Sequence, residues 1–257
     1  PVLWVVRIAL SRTGLESTSF SPFPSEVTFE NFEQMLSFSV RTGEWLFGKQ
    51  IFNSLVVAGM TTLVAIVVSC TAAYGFARFR FPGKQMGLMA LMLTQIFPGV
   101  VMMTPLYILL DSLHLVNSHV GLVLVYSSTA IPFCTWMLKG YFDSLPKDIE
   151  EAAMMDGASQ WFIFVRLVLP LARPAIAVTA LFSFMTAWNE FILAATLLND
   201  EALFTLPVAL QRYVGEYTTE WGSFAAGAVI ISLPVMVLFY ALQKHMVGGL
   251  PGGAVKG

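Results

Sequence analysis

Residues 51–77, 86–110, 120–138, 175–198 and 224–242 form five apolar runs, nearly free of charge. Each is close to the ~20 residues that a helix needs to cross the hydrocarbon core of a bilayer. Inside lipid no water can satisfy a free amide, so a crossing segment is either a helix or part of a closed barrel. A barrel would show many ten-residue segments of alternating polarity, and this chain has none. The runs are therefore expected to be helices. Residues 1–10 are apolar but too short to cross; they are read as the end of a first span that begins before Pro1, which makes six spans. They lack the basic start and small-residue cleavage site of a signal peptide.

The composition agrees. Of 257 residues, 56% are hydrophobic and 12% charged, and mean hydropathy is +0.72; a soluble chain is nearer one-quarter charged, roughly. No basic cluster suits nucleic acid, and the net charge of −2 names no partner. Cys70 and Cys134 fall inside apolar runs and read as small packing residues rather than a disulfide. With six spans, one face carries Arg78, Arg80, Lys84, Lys139, Lys147, Arg166, Arg173, Lys244 and Lys256. The other carries Arg12, Arg41, Lys49 and Arg212, with Arg7 near the end of the first span. The basic face is expected to be cytoplasmic, with both termini on that side.

On this reading, residues 11–50 form an extracytoplasmic loop in which Thr28, Glu30 and Phe32 suggest a short capped helix. RFRFPGK between the second and third spans is a tight turn. Residues 140–173 are the longest cytoplasmic segment, and residues 246–257 a Gly-rich tail. Pro98, Pro105, Pro132 and Pro234 lie within spans and predict kinks; they fit equally a bundle of bent helices and a pathway lined by broken ones.

The segment 140–173 is acidic and alanine-rich where its neighbours are apolar. Ser144 is a plausible N-cap, with Pro146 in the first turn and Asp148, Glu150 and Glu151 near the positive end of the helix dipole. Ile149, Ala152 and Ala153 would share a narrow apolar face. Gly157 stands where the helix should stop. Ser159 can then cap a second helix through Trp161, Phe162, Phe164, Val165 and Leu167, up to Leu169-Pro170. Small side chains suit a helix seated in a groove; packing on the chain's own bundle is the alternative.

Glu151-Ala152-Ala153, three residues, Gly157, nine residues, Leu167, one residue, Leu169-Pro170 resembles the EAA signature of ABC-importer permeases, departing only by Leu167 for isoleucine. YGFARFRFPGK (74–84), KGYFDSLPKDIEEAA (139–153), AWNEF (187–191) and GGAVKG (252–257) narrow the resemblance to the MalG-like permeases of carbohydrate importers. The resemblance covers essentially the whole chain. It implies an all-α integral membrane protein, a six-helix type I importer permease forming one domain over residues 1–257. It also implies a bacterial or archaeal plasma (inner) membrane, a second MalF-like permease, two MalK-like ATP-binding subunits and an extracytoplasmic sugar-binding protein. ATP and Mg would be bound by the ATPase subunits, with no cofactor in this chain. Glu150, Glu151, Ala152, Ala153, Asp156, Gly157, Leu169 and Pro170 would couple to the ATPase. The substrate class would be oligosaccharides or glycerol-phosphate compounds.

Glu190 is the one acid deep inside an expected span, at a cost of about 2.5–3.5 kcal/mol. With Trp188 and Asn189 it suits either a sugar, held by ring stacking and hydroxyl bonds, or a bridge to a neighbouring helix. Thr94, Gln95, Thr129, Thr135 and Trp136 are weaker candidates for the substrate path, and each fits interhelical bonding better. His114, His119 and Asp111 read as loop and helix-end residues, with no metal-ligand spacing. The chain has no GxxxxGK[ST] phosphate loop, no HExxH and no GxSxG, so it is not expected to be an enzyme by itself. In the tail, Gly252, Gly253 and Lys256 are either an ATPase contact or a mobile end. The rival class is an autonomous ion-coupled transporter, which would need paired repeats and a coupling carboxylate beyond Glu190.

Overall fold

The computed structural model describes residues 2–12, 24, 26–37, 45–214 and 220–247. Its helices are α1 (Val2–Ala9), α2 (Glu30–Leu36), α3 (Leu46–Arg78), α4 (Lys84–Leu93), α5 (Gly99–Ser112) and α6 (His119–Ser144). They continue as α7 (Asp148–Met155), α8 (Gln160–Ile163), α9 (Leu169–Leu171), α10 (Arg173–Trp188), α11 (Ile192–Leu197), α12 (Leu206–Leu210) and α13 (Trp221–Val247). Three of them, α3, α6 and α13, are long and apolar enough to cross a bilayer unbroken. Pro132 and Pro234 sit inside α6 and α13 without ending them.

Two of the five expected spans are not single helices. Residues 86–110 divide into α4 and α5 around Thr94–Pro98, where Pro98 lacks the N–H to continue a helix and biases Phe97 away from helical backbone. The side chains there take over: Thr94 Oγ1 donates to the Leu91 carbonyl at 2.7 Å, and Gln95 Nε2 donates to the Thr129 carbonyl at 3.1 Å. Residues 175–198 divide into α10 and α11 at Asn189-Glu190-Phe191. A further bend of 77° separates Gln160–Leu171 from Arg173–Trp188, between Pro170 and Pro174. Ahead of it, residues 164–168 form a π-helical turn, a local widening that recurs where helices change direction.

The described residues fall into two compact units. The first holds those within Pro1–Val57, Pro105–Leu122 and Trp188–Val237. Its core includes Met35, Phe47, Leu197, Leu206 and Ala226. A polar stripe on α3 clamps the loop before α12. Gln50 Nε2 donates to the Glu201 carbonyl, and Asn53 Nδ2 reaches those of Ala202 and Phe204 at 2.9 and 3.1 Å. Ser54 Oγ accepts from the Leu206 amide at 2.6 Å. The spacing 50, 53, 54 places all three on one helix face. Asn117, itself at φ +55°, accepts from the amides of Asn199 and Asp200, and a ring nitrogen of His119 lies 2.8 Å from the Leu203 carbonyl. His119 is thus bound to the neighbouring loop rather than merely solvated. Arg212 donates from Nη2 to Gln50 Oε1; burial holds its pKa below the ordinary arginine value. The expected helix after Thr28 is α2, with the Glu30 amide donating to Thr28 Oγ1 at 3.2 Å.

The second unit holds the described residues within Ala58–Thr104, Val123–Ala187 and Leu238–Gly257. The last third of α3 (Cys70, Ala73, Tyr74, Ala77) packs with Leu138 and Phe142 of α6 and with Ile163, Phe164, Val168 and Ala172. Gly83, at φ +82°, makes the turn into α4 that the Pro-Gly pair predicts.

Asn53→Ala removes the Asn53 amide that donates to the Ala202 and Phe204 carbonyls and strands both, costing about 1–3 kcal/mol. We expect a lower midpoint of thermal unfolding in detergent and faster proteolysis between Glu201 and Leu206. Unchanged proteolysis would contradict the clamp.

Candidate functional site

The acidic segment forms a helix, a glycine turn and a second helix. Ser144 ends α6 and donates to the Tyr141 carbonyl at 2.7 Å, so it is not the N-cap of α7. Lys147 takes that position with no side-chain cap. The helix instead starts on Asp148, Glu150 and Glu151, whose charges favour its positive end. At the other end the Gly157 amide donates to the Met154 carbonyl and the Ala158 amide to that of Ala153, both at 3.0 Å. That pair of bonds is a Schellman closure, and Gly157 supplies its left-handed residue at φ +85°. Ser159 is extended, accepts from the Phe162 amide at 3.3 Å and caps α8, as its sequence position predicts.

The apolar face of Ile149, Ala152 and Ala153 is divided. Ile149 and Ala152 point outward; Glu150 and Ala153, three residues apart, turn in. A buried carboxylate must be paired, and Glu150 is. Its Oε1 accepts from Arg78 Nε at 2.6 Å and its Oε2 from the Tyr74 hydroxyl at 3.1 Å. Arg78 also reaches the Leu145 carbonyl at 3.4 Å. Both charged side chains are 9% exposed. Removing one partner of such a pair leaves a buried lone charge and typically costs about 3–5 kcal/mol. Glu150 is among the residues expected to couple; its partners Arg78 and Tyr74 are not. The available signal was an arginine ending an apolar run, one helical turn beyond a tyrosine.

Outward lies an apolar surface: Met155 is 84% exposed and Trp161 69%, joined by Phe162, Met154 and Ile149. Glu151, Ala152, Asp156 and Gly157 are also on the outside. Leu169 and Pro170 are partly buried, with Leu169 against the unit's core. A small cleft beside the ion pair is lined by Arg80, Lys147, Glu151, Met154 and Gln160.

The path candidates separate. Trp188 is 1% exposed, and its indole N–H donates to the Ile231 carbonyl at 2.9 Å, so its ring face cannot carry a sugar in this arrangement. Asn189 is exposed. Glu190 caps α11, Oε1 accepting from the Leu193 amide at 2.8 Å and Oε2 from the Ala194 amide at 3.1 Å. Its carboxylate serves the broken helix itself, a use the sequence reading did not weigh. Trp136 is largely exposed and faces a groove of about 730 Å³ with Lys84, Met92, Ile96 and Lys139. Gly252, Gly253 and Lys256 lie outside the described residues. Among those described, no three His, Cys, Asp or Glu side chains converge as metal ligands.

Residues 65–250 match the family of binding-protein-dependent transport system inner membrane components. Over its full length the chain is 36% identical to the trehalose transport system permease protein SugB of Mycobacterium tuberculosis, covering 92% of it. It is 37% identical to the maltose/maltodextrin transport system permease protein MalG of Vibrio vulnificus and 35% identical to that of Escherichia coli, covering 90% of each. A bacterial ABC transporter involved in the import of the acidic polysaccharide alginate superposes with TM-score 0.79 at 21% identity, over 95% of this chain and 89% of that one. The MetNI methionine ABC transporter does so with TM-score 0.67 at 13% identity, over 82% and 100%. These two likenesses establish the fold, the type I importer fold. The chain belongs to the inner membrane component family of binding-protein-dependent transport systems. It is a multi-pass permease subunit of an ABC importer, not an autonomous ion-coupled carrier.

At Gly157 an added Cβ meets nothing within 4 Å, so Gly157→Ala is strained through its backbone alone, by roughly 1–2 kcal/mol. Amide hydrogen exchange at Ala158 should rise about 5–30-fold, and less in Gly157→Asn, since asparagine tolerates this conformation. Equal exchange in all three would contradict the closure.

Proposed function

We propose that this chain is the permease subunit of an ATP-driven sugar importer that docks its ATPase through the α7–α8 surface. The observation that carries this is an apolar patch on a polar loop. Met155, Trp161, Phe162, Met154 and Ile149 stand exposed around the glycine turn, and Lys147, Arg166 and Arg173 lie in the same segment. Exposed apolar clusters rimmed by charge mark protein–protein contacts, and aromatic residues with methionine are enriched in such interfaces. The resemblance to the EAA signature supports an ATP-binding subunit as the occupant.

On this reading the chain is one permease domain, residues 1–257, and forms half of a pathway with a second, MalF-like permease. Residues 140–173 couple to two MalK-like subunits, which bind ATP and Mg. Residues 11–50 face an extracytoplasmic sugar-binding protein, and both termini are cytoplasmic, by the excess of lysine and arginine on that side. Sugar relatives such as the trehalose and maltose permeases support an oligosaccharide as substrate. The path candidates left after Trp188 is set aside are Asn189, Glu190, Thr94, Gln95 and Trp136. The breaks at residues 94–98 and 189–191 support a path lined by interrupted helices.

Trp161→Asp places a charge in the apolar patch at a residue that is 69% exposed, giving up a ring contact with Phe164. Co-purification of the ATPase subunits should fall at least ten-fold while the chain still reaches the membrane; full retention would sink the docking surface. The tail, residues 246–257, is assigned a contact with the ATPase through Gly252, Gly253 and Lys256. Deleting residues 252–257 should change ATP hydrolysis by the assembled complex, and identical hydrolysis and uptake would remove that assignment.

A further inference from the structure

The α7–α8 surface explains contact with an ATPase, but contact alone moves nothing. Force arriving on α7 must pass to a membrane helix through something stiffer than the Leu145-Pro146-Lys147 connection. We infer that Glu150, held between Arg78 and Tyr74, is the positioning residue that makes α7 and the end of α3 move as one body. This inference rests on the docking reading.

Three observations carry it. First, the contact is directional. Arg78 meets Glu150 through Nε at 2.6 Å while its Nη2 reaches the Leu145 carbonyl, so one guanidinium holds the connection entering α7 and the first turn of α7 together. A guanidinium is planar with fixed donors, and such a fork fixes orientation as well as distance. Second, the pair belongs to the last turn of α3, a 33-residue span. Tyr74, one turn earlier, holds the second carboxylate oxygen and packs on Phe142 and Phe164 by ring contacts at 6.3 and 4.7 Å. The carboxylate is therefore tied to α3 at two levels and, through Tyr74, to the segments on either side of the loop. Third, the apolar alternative was available. Ala153 on the same face already packs inward, and apolar residues can replace a buried ion pair at little or no loss of stability. What a charge pair adds over an apolar contact is a single allowed register, which a transmission joint needs and a mere anchor does not.

Glu150 precedes the acidic residue of the EAA signature, Glu151, which is exposed. The two adjacent carboxylates thus divide the work: Glu151 faces outward beside the docking surface, and Glu150 faces inward to α3.

The test uses the assembled transporter in liposomes, with Glu150→Gln and, as a variant that removes one hydroxyl and leaves every charge in place, Tyr74→Phe. The readout is substrate taken up per ATP hydrolysed, together with the amount of ATPase subunit bound. Destabilisation lowers uptake and hydrolysis in proportion and leaves the ratio alone, whereas a slack joint lowers the ratio. With ATPase still bound, we expect the ratio to fall at least five-fold in Glu150→Gln and about two-fold in Tyr74→Phe. An unchanged ratio in Tyr74→Phe and in whatever Glu150→Gln complex assembles overturns the inference while docking stands. Loss of bound ATPase in both variants also overturns it, because Glu150 would then serve the docking contact. If the ATPase does not associate even with the unsubstituted chain, the docking reading itself fails.

Discussion

An amide or carbonyl inside hydrocarbon has no water to turn to, so every interruption of a membrane helix must be repaired by the chain itself. That constraint accounts for the polar side chains at the two breaks in the spans. Where α4 gives way to α5, Thr94 and Gln95 bond to backbone carbonyls. Where α10 gives way to α11, the Glu190 carboxylate receives two amides of the new helix. A charge that looks expensive at that depth is offset by the donors it satisfies, because a carboxylate bonded by backbone N–H groups is among the stronger hydrogen-bonded arrangements.

The surface loop obeys the reverse logic. Its backbone is closed locally by the Schellman turn at Gly157 and the Ser159 cap, which leaves its outer side chains free of structural duty. They are apolar nonetheless. Met155 is 84% exposed and Trp161, though its ring touches Phe164, 69%, and their exposure makes sense when another surface covers them. On the inner side, the loop is fastened to α3 by the Glu150–Arg78 pair as well as by the apolar packing of Ile163 and Phe164.

Much of this was legible beforehand, for identifiable reasons. Apolar length announces α3, α6 and α13 directly, because insertion in lipid depends on the sum of local side-chain preferences. Gly157 and Ser159 were readable because helix ends rely on chemistry within a few residues. The breaks were harder: Pro98 marks one, but Pro132 and Pro234 look the same in sequence and leave their helices continuous. No proline lies at 189–191 at all, and that break rests on the reach of one carboxylate. The residues that share a face of α7 were legible, but not which of them turn in: Glu150 and Ala153 face the unit's core while Ile149 and Ala152 are exposed. The reason is Arg78, which stands seventy-two residues away in sequence at the end of the neighbouring helix. Pairings across such distances leave no periodic trace. Likewise, Trp188 looked like a sugar platform by type, and only its bond to Ile231 shows it enclosed.

The central claim is that the exposed side of α7–α8 is covered by an ATP-binding subunit in the working transporter. A photoreactive phenylalanine analogue at position 155, activated in native membranes, tests it most directly. The account predicts a cross-linked product of the combined mass of this chain and one ATPase subunit, formed in a transport-active complex. Adducts with lipid alone, in a complex that still transports, would contradict it.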